Sequence, residues 1–498
     1  MELQFQKTDI ACLQMLKCQV QNQEQTQEVR LDDTMPPVEK VLCAWGQVLM
    51  RGKQWRNTGV QVSGGVMAWV LYGAEDGSCH SVQTWVPFQV KMDIPQQERD
   101  GMILSDVRLR AVDARCINER KLLVRIDIGV QICTAVPQNV EVYSADQLPE
   151  DVQVLEKTYP VDLPMEMGEK EFMIDEILML PGSCVPMEQL LCYSMQPELI
   201  DRKVMADKVV FRGTGLLHIL YRGQDGQLYS WDFELPFSQF DQLTGQYEQS
   251  AAARIVPALT SLELEQDPEG KLQVKAGLVG QYMIYDRKEL TLAQDAYSTS
   301  RQLTPQIQQL QIPAVLDMQI HTIQCEQTAA MEGSRAVDVT FLPDQPAQLR
   351  ASDGVELDLS GRFQILSCDH EGKVHVETPG WSGQLPVRMD DDCRLEAFVA
   401  VTGMPAGVPG AGNVTVRADM LVDTACMSES AMPMITGVLL EPREEDAGER
   451  PSVILRRAGS DGLWQIAKQT GSTMDAIRQA NHLTEDPAED KMLLIPLR

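Results

Sequence analysis

Leu71–Phe88, LYGAEDGSCHSVQTWVPF, decides the fold, because it returns at Leu220–Phe237 as LYRGQDGQLYSWDFELPF at a constant offset of 149 residues. Leu71/Leu220, Tyr72/Tyr221, Asp76/Asp225, Gly77/Gly226, Ser81/Ser230, Pro87/Pro236 and Phe88/Phe237 are identical. Asp-Gly between apolar runs reads as a β-hairpin, since the turn needs a positive φ that glycine adopts without cost. The stretch carries no catalytic signature, so it marks a copied β-unit.

The register extends upstream. Pro37-Val38-Glu39 aligns with Pro186-Met187-Glu188 at the same offset, and Pro36–Leu42 reads as a helical turn opened by proline. Downstream, alternation predicts strands at Val107–Val112 and Lys121–Ile128, matched by Leu262–Glu265 and Lys271–Lys275. A third, eroded copy runs through Val355–Val387 with Glu371-Gly372 at its turn, and Val414–Asp419 closes it. Gly403–Asn413 is read as the loop between its last two strands, since no Lys-Ser/Thr follows to make a phosphate loop.

The expected organisation is a lead segment (1–36) holding a Gln-rich polar edge strand or linker, a first unit (37–136) and a connector (137–177). A second unit (178–294), a connector (295–330), a degenerate third unit (331–436), an acidic linker (437–451) and a compact tail (452–498) follow, with the connectors able to lend strands to the units. The fold class is mostly β: tandem antiparallel sandwich-like units followed by a small βααβ domain. In that tail Val453–Leu455 is a strand, Ser460 or Asp461 caps a helix ending at Gly471, and Ser472–Asp475 opens a second helix that stops at Asn481. Met492–Ile495 closes it as a strand.

A net charge of −29 disfavours nucleic acid and anionic bilayers, and basic protein surfaces suit it better. The first twenty residues lack a secretory pattern, and no apolar run is long enough for a membrane helix. The chain is therefore expected in the cytoplasm with no direct membrane insertion, its twelve cysteines reduced and mostly buried, without a disulfide framework.

Candidate chemical constellations are weak. Cys368, His370 and His375 sit together, but on the third hairpin, where a solvated tip is expected in place of a metal site. His80 beside Cys79 aligns with Tyr229 beside Leu228, which suits packing and not a nucleophile pair. No paired carboxylates stand out. The expectation is no enzyme, no cofactor and no metal.

Val453–Leu497 resembles the LysM module through Gly459, Asp461, Leu463–Ala467, Ala480–Leu483 and Leu493–Pro496. It departs in the first loop, which has an extra residue, and at Ala488–Lys491, where Pro-Gly-Gln is usual. The repeats, with P-x-[IVM]-E opening and LYxxxDGxxxSxxxxxPF following, resemble the SPOCS domain of spore-coat proteins. That resemblance implies a coat-assembly scaffold in the mother cell, at the forespore surface. Its implied partners are other coat proteins and the coat-basement ATPase, stage IV sporulation protein A, held in a LysM groove of Gly459, Ser460, Asp461, Leu463, Trp464, Asn481, His482 and Leu483. The alternative implied by the tail is a peptidoglycan or N-acetylglucosamine chain, acting at the cortex or wall.

Overall fold

The computed structural model describes residues 2–56, 59–75, 77–94, 101–145, 148–331, 335–351, 354–369, 372–389, 393–428, 431–442, 452–458, 462–483 and 491–497. Three β-units of two facing sheets each account for most of it.

In the first unit, β1 (Gln6–Arg30), β6 (Lys121–Ser144) and β5 (Met102–Asn118) form one sheet in that order; β2 (Val38–Arg56), β3 (Gly59–Ala74) and β4 (Cys79–Asp93) form the other. The second unit pairs β8 (Met187–Gly223) with β9 (Leu228–Tyr247), and sets β7 (Val152–Leu178), β11 (Leu272–Ser298) and β10 (Ala252–Gln266) opposite. In the third, β13 (Arg335–Pro343), β14 (Gly354–Cys368), β15 (Val374–Glu377) and β16 (Gly380–Val387) face β12 (Val315–Ala330), β18 (Asn413–Ser428) and β17 (Cys393–Pro409). Two residues join the sheets of the last two units, Val315 pairing with Asp162. A ribbon of Glu2–Gln4, Ala431–Glu441 and Gln302–Gln311 ties the amino terminus to the end of the third unit.

Alternation builds the cores. Leu122, Val124, Ile126, Ile128, Val130 and Ile132 of β6 are fully buried on one face, and Leu272, Val274, Ala276 and Leu278 of β11 and Val414, Val416, Met420 and Val422 of β18 repeat the stripe. Each such side chain contributes about 1.5–3 kcal/mol of burial, and shifting a strand by one residue would expose the whole stripe.

The hairpins take the same turn in all three copies. Gly77, Gly226 and Gly372 have φ of 81°, 80° and 80°, with N–H groups donated to Ala74, Gly223 and Asp369 carbonyls. In the second copy, whose loop Gln224–Gly226 is described throughout, glycine alone enters the left-handed region. Asp225 keeps a negative φ; its carboxylate accepts from the Gln227 N–H at 3.1 Å, which is why an acid precedes the glycine.

Several expectations change. Pro36–Leu42 is not helical: β2 starts at Val38, whose N–H donates to Glu119 O at 2.8 Å, so the chain after the prolines is drawn into extended backbone. The Gln-rich run is the edge strand β1, paired residue for residue with β6. Gly403–Pro409 belongs to β17, leaving Gly410–Gly412 as the loop. Cys18 and Cys133, cross-strand neighbours in the β1–β6 register, are joined by a disulfide, against the expectation of reduced cysteines throughout.

Candidate functional site

The C-terminal module is β19 (Val453–Arg457), α1 (Leu463–Thr470), α2 (Met474–Asn481) and β20 (Met492–Pro496), with β19 and β20 antiparallel. Gly462, without a side-chain cap, is the N-cap of α1, and Gly471 ends it at φ 68°. The N-cap of α2 is Thr473, not Ser472: the Thr473 hydroxyl accepts from Ala476 N–H, while Ser472 Oγ donates to Pro496 O.

Of the residues expected in a groove, Gly459, Ser460 and Asp461 lie outside the described residues. Leu463 is buried in the module's core with Ile466, Ala467, Ile477, Leu493 and Ile495. Asn481 clamps α2 to β20: its amide nitrogen donates to Leu494 O at 2.6 Å, and its oxygen accepts from Leu494 N–H at 2.7 Å. His482 adopts φ 51° as the helix C-cap, and Leu483 packs partly against the same core.

Trp464 faces the second unit. Its Nε1–H donates to Asp295 Oδ2 at 2.8 Å, and its ring meets Tyr297 edge-on at 4.9 Å. Lys468 Nζ donates to both Asp295 oxygens, and Tyr297 Oη–H donates to Ser472 O at 2.8 Å. Burial pulls Asp295 up, but the hydrogen bonds from Lys468 and Trp464 outweigh it and leave its carboxyl below the usual range. The module is thus docked on the end of β11 through an aromatic pair and a charge-assisted pair.

The three units contact one another in turn, the first with the second, the second with the third and the third with the first. Five residues before the first turn residue, Ala74, Gly223 or Asp369, stand Trp69, His218 and Gln364, and each reaches the next unit. Trp69 packs edge-on against Tyr193 at 4.9 Å. His218 Nε2 lies 3.0 Å from Asp338 Oδ1, an ion-pair contact whose angle falls short of a hydrogen bond, and its Nδ1 is 2.6 Å from Asp232. The Gln364 amide fits with its nitrogen donating to Ala44 O and its oxygen accepting from Trp45 Nε1. Ser81 Oγ donates to Leu191 O and Ser230 Oγ to Val337 O, both at 2.6 Å, so the serine shared by the first two hairpins is a docking residue.

Charge is concentrated where units meet. Burial alone would lower His218; the Asp338 and Asp232 carboxylates outweigh it and raise it to about 10. Arg254 of β10 is 1% exposed and sits between Asp423 Oδ1 at 2.9 Å and Glu396 Oε2 at 3.4 Å, with its guanidinium over Phe398. Burial opposes the charge on Arg254, but Tyr285, Asp423 and Glu396 together outweigh it and push the group further up.

Sequence reading did not single out His218, Asp338, Arg254, Glu396 or Asp423, because their partners lie on other units. The conserved offset was the available signal: a histidine standing where the first copy has tryptophan marks a position reused for another contact.

Of the set-aside constellations, Cys368 is buried, His375 contacts Asp369 at 3.4 Å and His370 lies outside the described residues. His80 Nε2 meets Ser78 Oγ at 2.7 Å, and burial pushes the Cys79 thiol up. Among the described residues, the triad of metal-capable atoms is Cys18, Cys133 and Glu396; two are disulfide-bonded and Glu396 is ion-paired with Arg394 and Arg254.

Residues 186–265, covering β8, β9 and most of β10, match the family model described as SipL, SPOCS domain. The chain contains a SPOCS domain. This connects it to sporulation and the spore coat. No curated protein and no solved structure matches the chain. No helix among the described residues is long and apolar enough to cross a membrane.

Proposed function

We propose that this SPOCS protein is a non-enzymatic scaffold of bacterial endospore coat assembly, working in the mother-cell cytoplasm at the forespore surface. Its C-terminal module contacts the coat-basement ATPase, stage IV sporulation protein A, and the set of β-units presents outward strands to other coat proteins. The observation that carries this reading is the SPOCS match at 186–265 within a chain of repeated units. The unit junctions support it: their polar groups pair with one another, as His218 does with Asp338 and Arg254 with Asp423, which builds a rigid platform.

The test uses the full chain and a chain ending at Glu441, each as bait in a lysate of sporulating cells. Recovery of the ATPase by the full chain and its loss without the module is expected. Equal recovery by both sinks the module's role. Cosedimentation of the full chain with purified peptidoglycan, without ATPase recovery, favours the glycan alternative.

A further inference from the structure

Where the three units meet, a cavity of about 520 Å³ opens to solvent. Its walls come from equivalent strands of each unit: β2 and β5, the first part of β8 with β10, and β13 with β17. Most of the lining is apolar, as at Trp45, Val107, Met195, Leu259, Phe341 and Val401. At the mouth, Ile200 and Ile320 are 70% and 56% exposed. A chamber of this size, at a junction of units and lined by apolar side chains, has the dimensions of a ligand site.

The walls have a second property. β2, β5, β10, β13 and β17 are each the outermost strand of their sheets. An edge strand turns half of its N–H and C=O groups away from the ladder, here toward the cavity, which consecutive residues such as 44–48, 254–259 and 339–343 line. One contact shows such a group in use across units, Val401 O of β17 accepting from Gln196 Nε2 at 2.6 Å; on the lining part of β8, Met195 N–H likewise donates to Gln47 Oε1 at 2.8 Å. Gln47 and Gln196 are themselves 149 residues apart.

The charges narrow the occupant. The lining cations are committed to aspartates: Arg108 to Asp106 at 2.7 Å, Arg202 to Asp423 at 3.0 Å, Arg254 to Asp423 at 2.9 Å, and His218 to Asp232 at 2.6 Å and Asp338 at 3.0 Å. A fatty acid or phosphate ester would need a cation for its head group. An uncharged extended peptide needs only strand edges for its backbone and apolar walls for alternate side chains.

We propose that this cavity is a docking site for an extended, uncharged segment of a partner protein, entering beside Ile200 and Ile320 and adding to an edge strand. The site is separate from the C-terminal module, so its failure and the failure of the ATPase reading are distinguishable.

The test is fluorescence polarisation with the full chain and labelled, capped hexapeptides alternating threonine with valine, leucine or phenylalanine, with octanoate in parallel. Saturable binding of at least one peptide at one per chain is expected. It should weaken at least tenfold in Ile200→Lys, an exposed position whose change leaves the melting temperature unaltered, and in Ala400→Trp, which fills the wall. Octanoate should neither bind nor compete. Absence of peptide binding, binding that both variants retain, or binding of octanoate in place of peptide overturns the proposal.

Discussion

Trp464 Nε1–H donates to Asp295 Oδ2 at 2.8 Å, joining the C-terminal module to the second β-unit across 169 residues of sequence. The same carboxylate takes Lys468, so Asp295 is the anchor of the docking. Asp295→Ala is expected to raise hydrogen exchange across α1 several-fold while the β-units keep their protection. Since the Asp295 carboxyl is lowered in the folded chain, its contribution is present above the ordinary aspartate range near pH 3.8 and is lost as pH falls below it. The protection factor at α1, the measured rate set against the intrinsic one, should therefore fall on acidification in the parent chain and be flat in Asp295→Ala.

Trp464→Phe separates packing from the hydrogen bond. It keeps a ring for Tyr297 and loses the N–H that Asp295 accepts, and a cost of about 1–3 kcal/mol is expected from the carboxylate's lost partner. Trp464→Ala loses both. If ATPase recovery falls in Trp464→Ala and not in Trp464→Phe, with both variants folded by circular dichroism, the ring and its docking serve the partner.

The His218–Asp338 pair predicts a pH dependence in the alkaline range. His218 is raised from 6.5 to about 10, so its stabilisation is complete below pH 6.5 and is lost as pH climbs toward 10. Asp338→Asn, which leaves the imidazolium short of a partner, is expected to cost about 3–5 kcal/mol near neutrality. The gap between variant and parent, read from urea unfolding, should close between pH 7 and 10.

Arg254 should behave as a bolt. Arg254→Met takes one of two cationic partners from each of Asp423 and Glu396, which keep Arg202 and Arg394, and is expected to cost about 1–3 kcal/mol. Arg254→Lys, which keeps the charge, should recover part of that loss. An Arg254→Met melting temperature equal to the parent's would remove Arg254 from this role.

Two glycines test the repeat at atomic scale. A Cβ on Gly64 would lie 2.4 Å from Leu49 O and 2.8 Å from the Phe88 ring; on Gly213, 2.1 Å from Glu198 O and 2.5 Å from Phe237. Gly64→Ala and Gly213→Ala should each cost about 1–3 kcal/mol or more by overpacking. Gly226→Ala, with open space but φ of 80°, should cost about 1–2 kcal/mol through backbone strain alone.

By itself the sequence determined the β-class, the three hairpins and the strand–helix–helix–strand tail, because these depend on local signals: an Asp-Gly turn, apolar alternation, Gly471 after a helix. It misplaced what depends on long-range partners. Pro36–Leu42 became strand because Val38 bonds to Glu119, and Ser472 gave up the N-cap to Thr473 because its hydroxyl is held by Pro496. Tertiary structure alone decided that Cys18 faces Cys133, that Trp464 turns to Asp295, and that Trp69, His218 and Gln364 spend one repeated position on three different contacts. The reason is physical: a repeated pattern fixes the shape of each unit, whereas the pairing of buried charges and rings depends on which surfaces the contacts between units bring within a few ångströms.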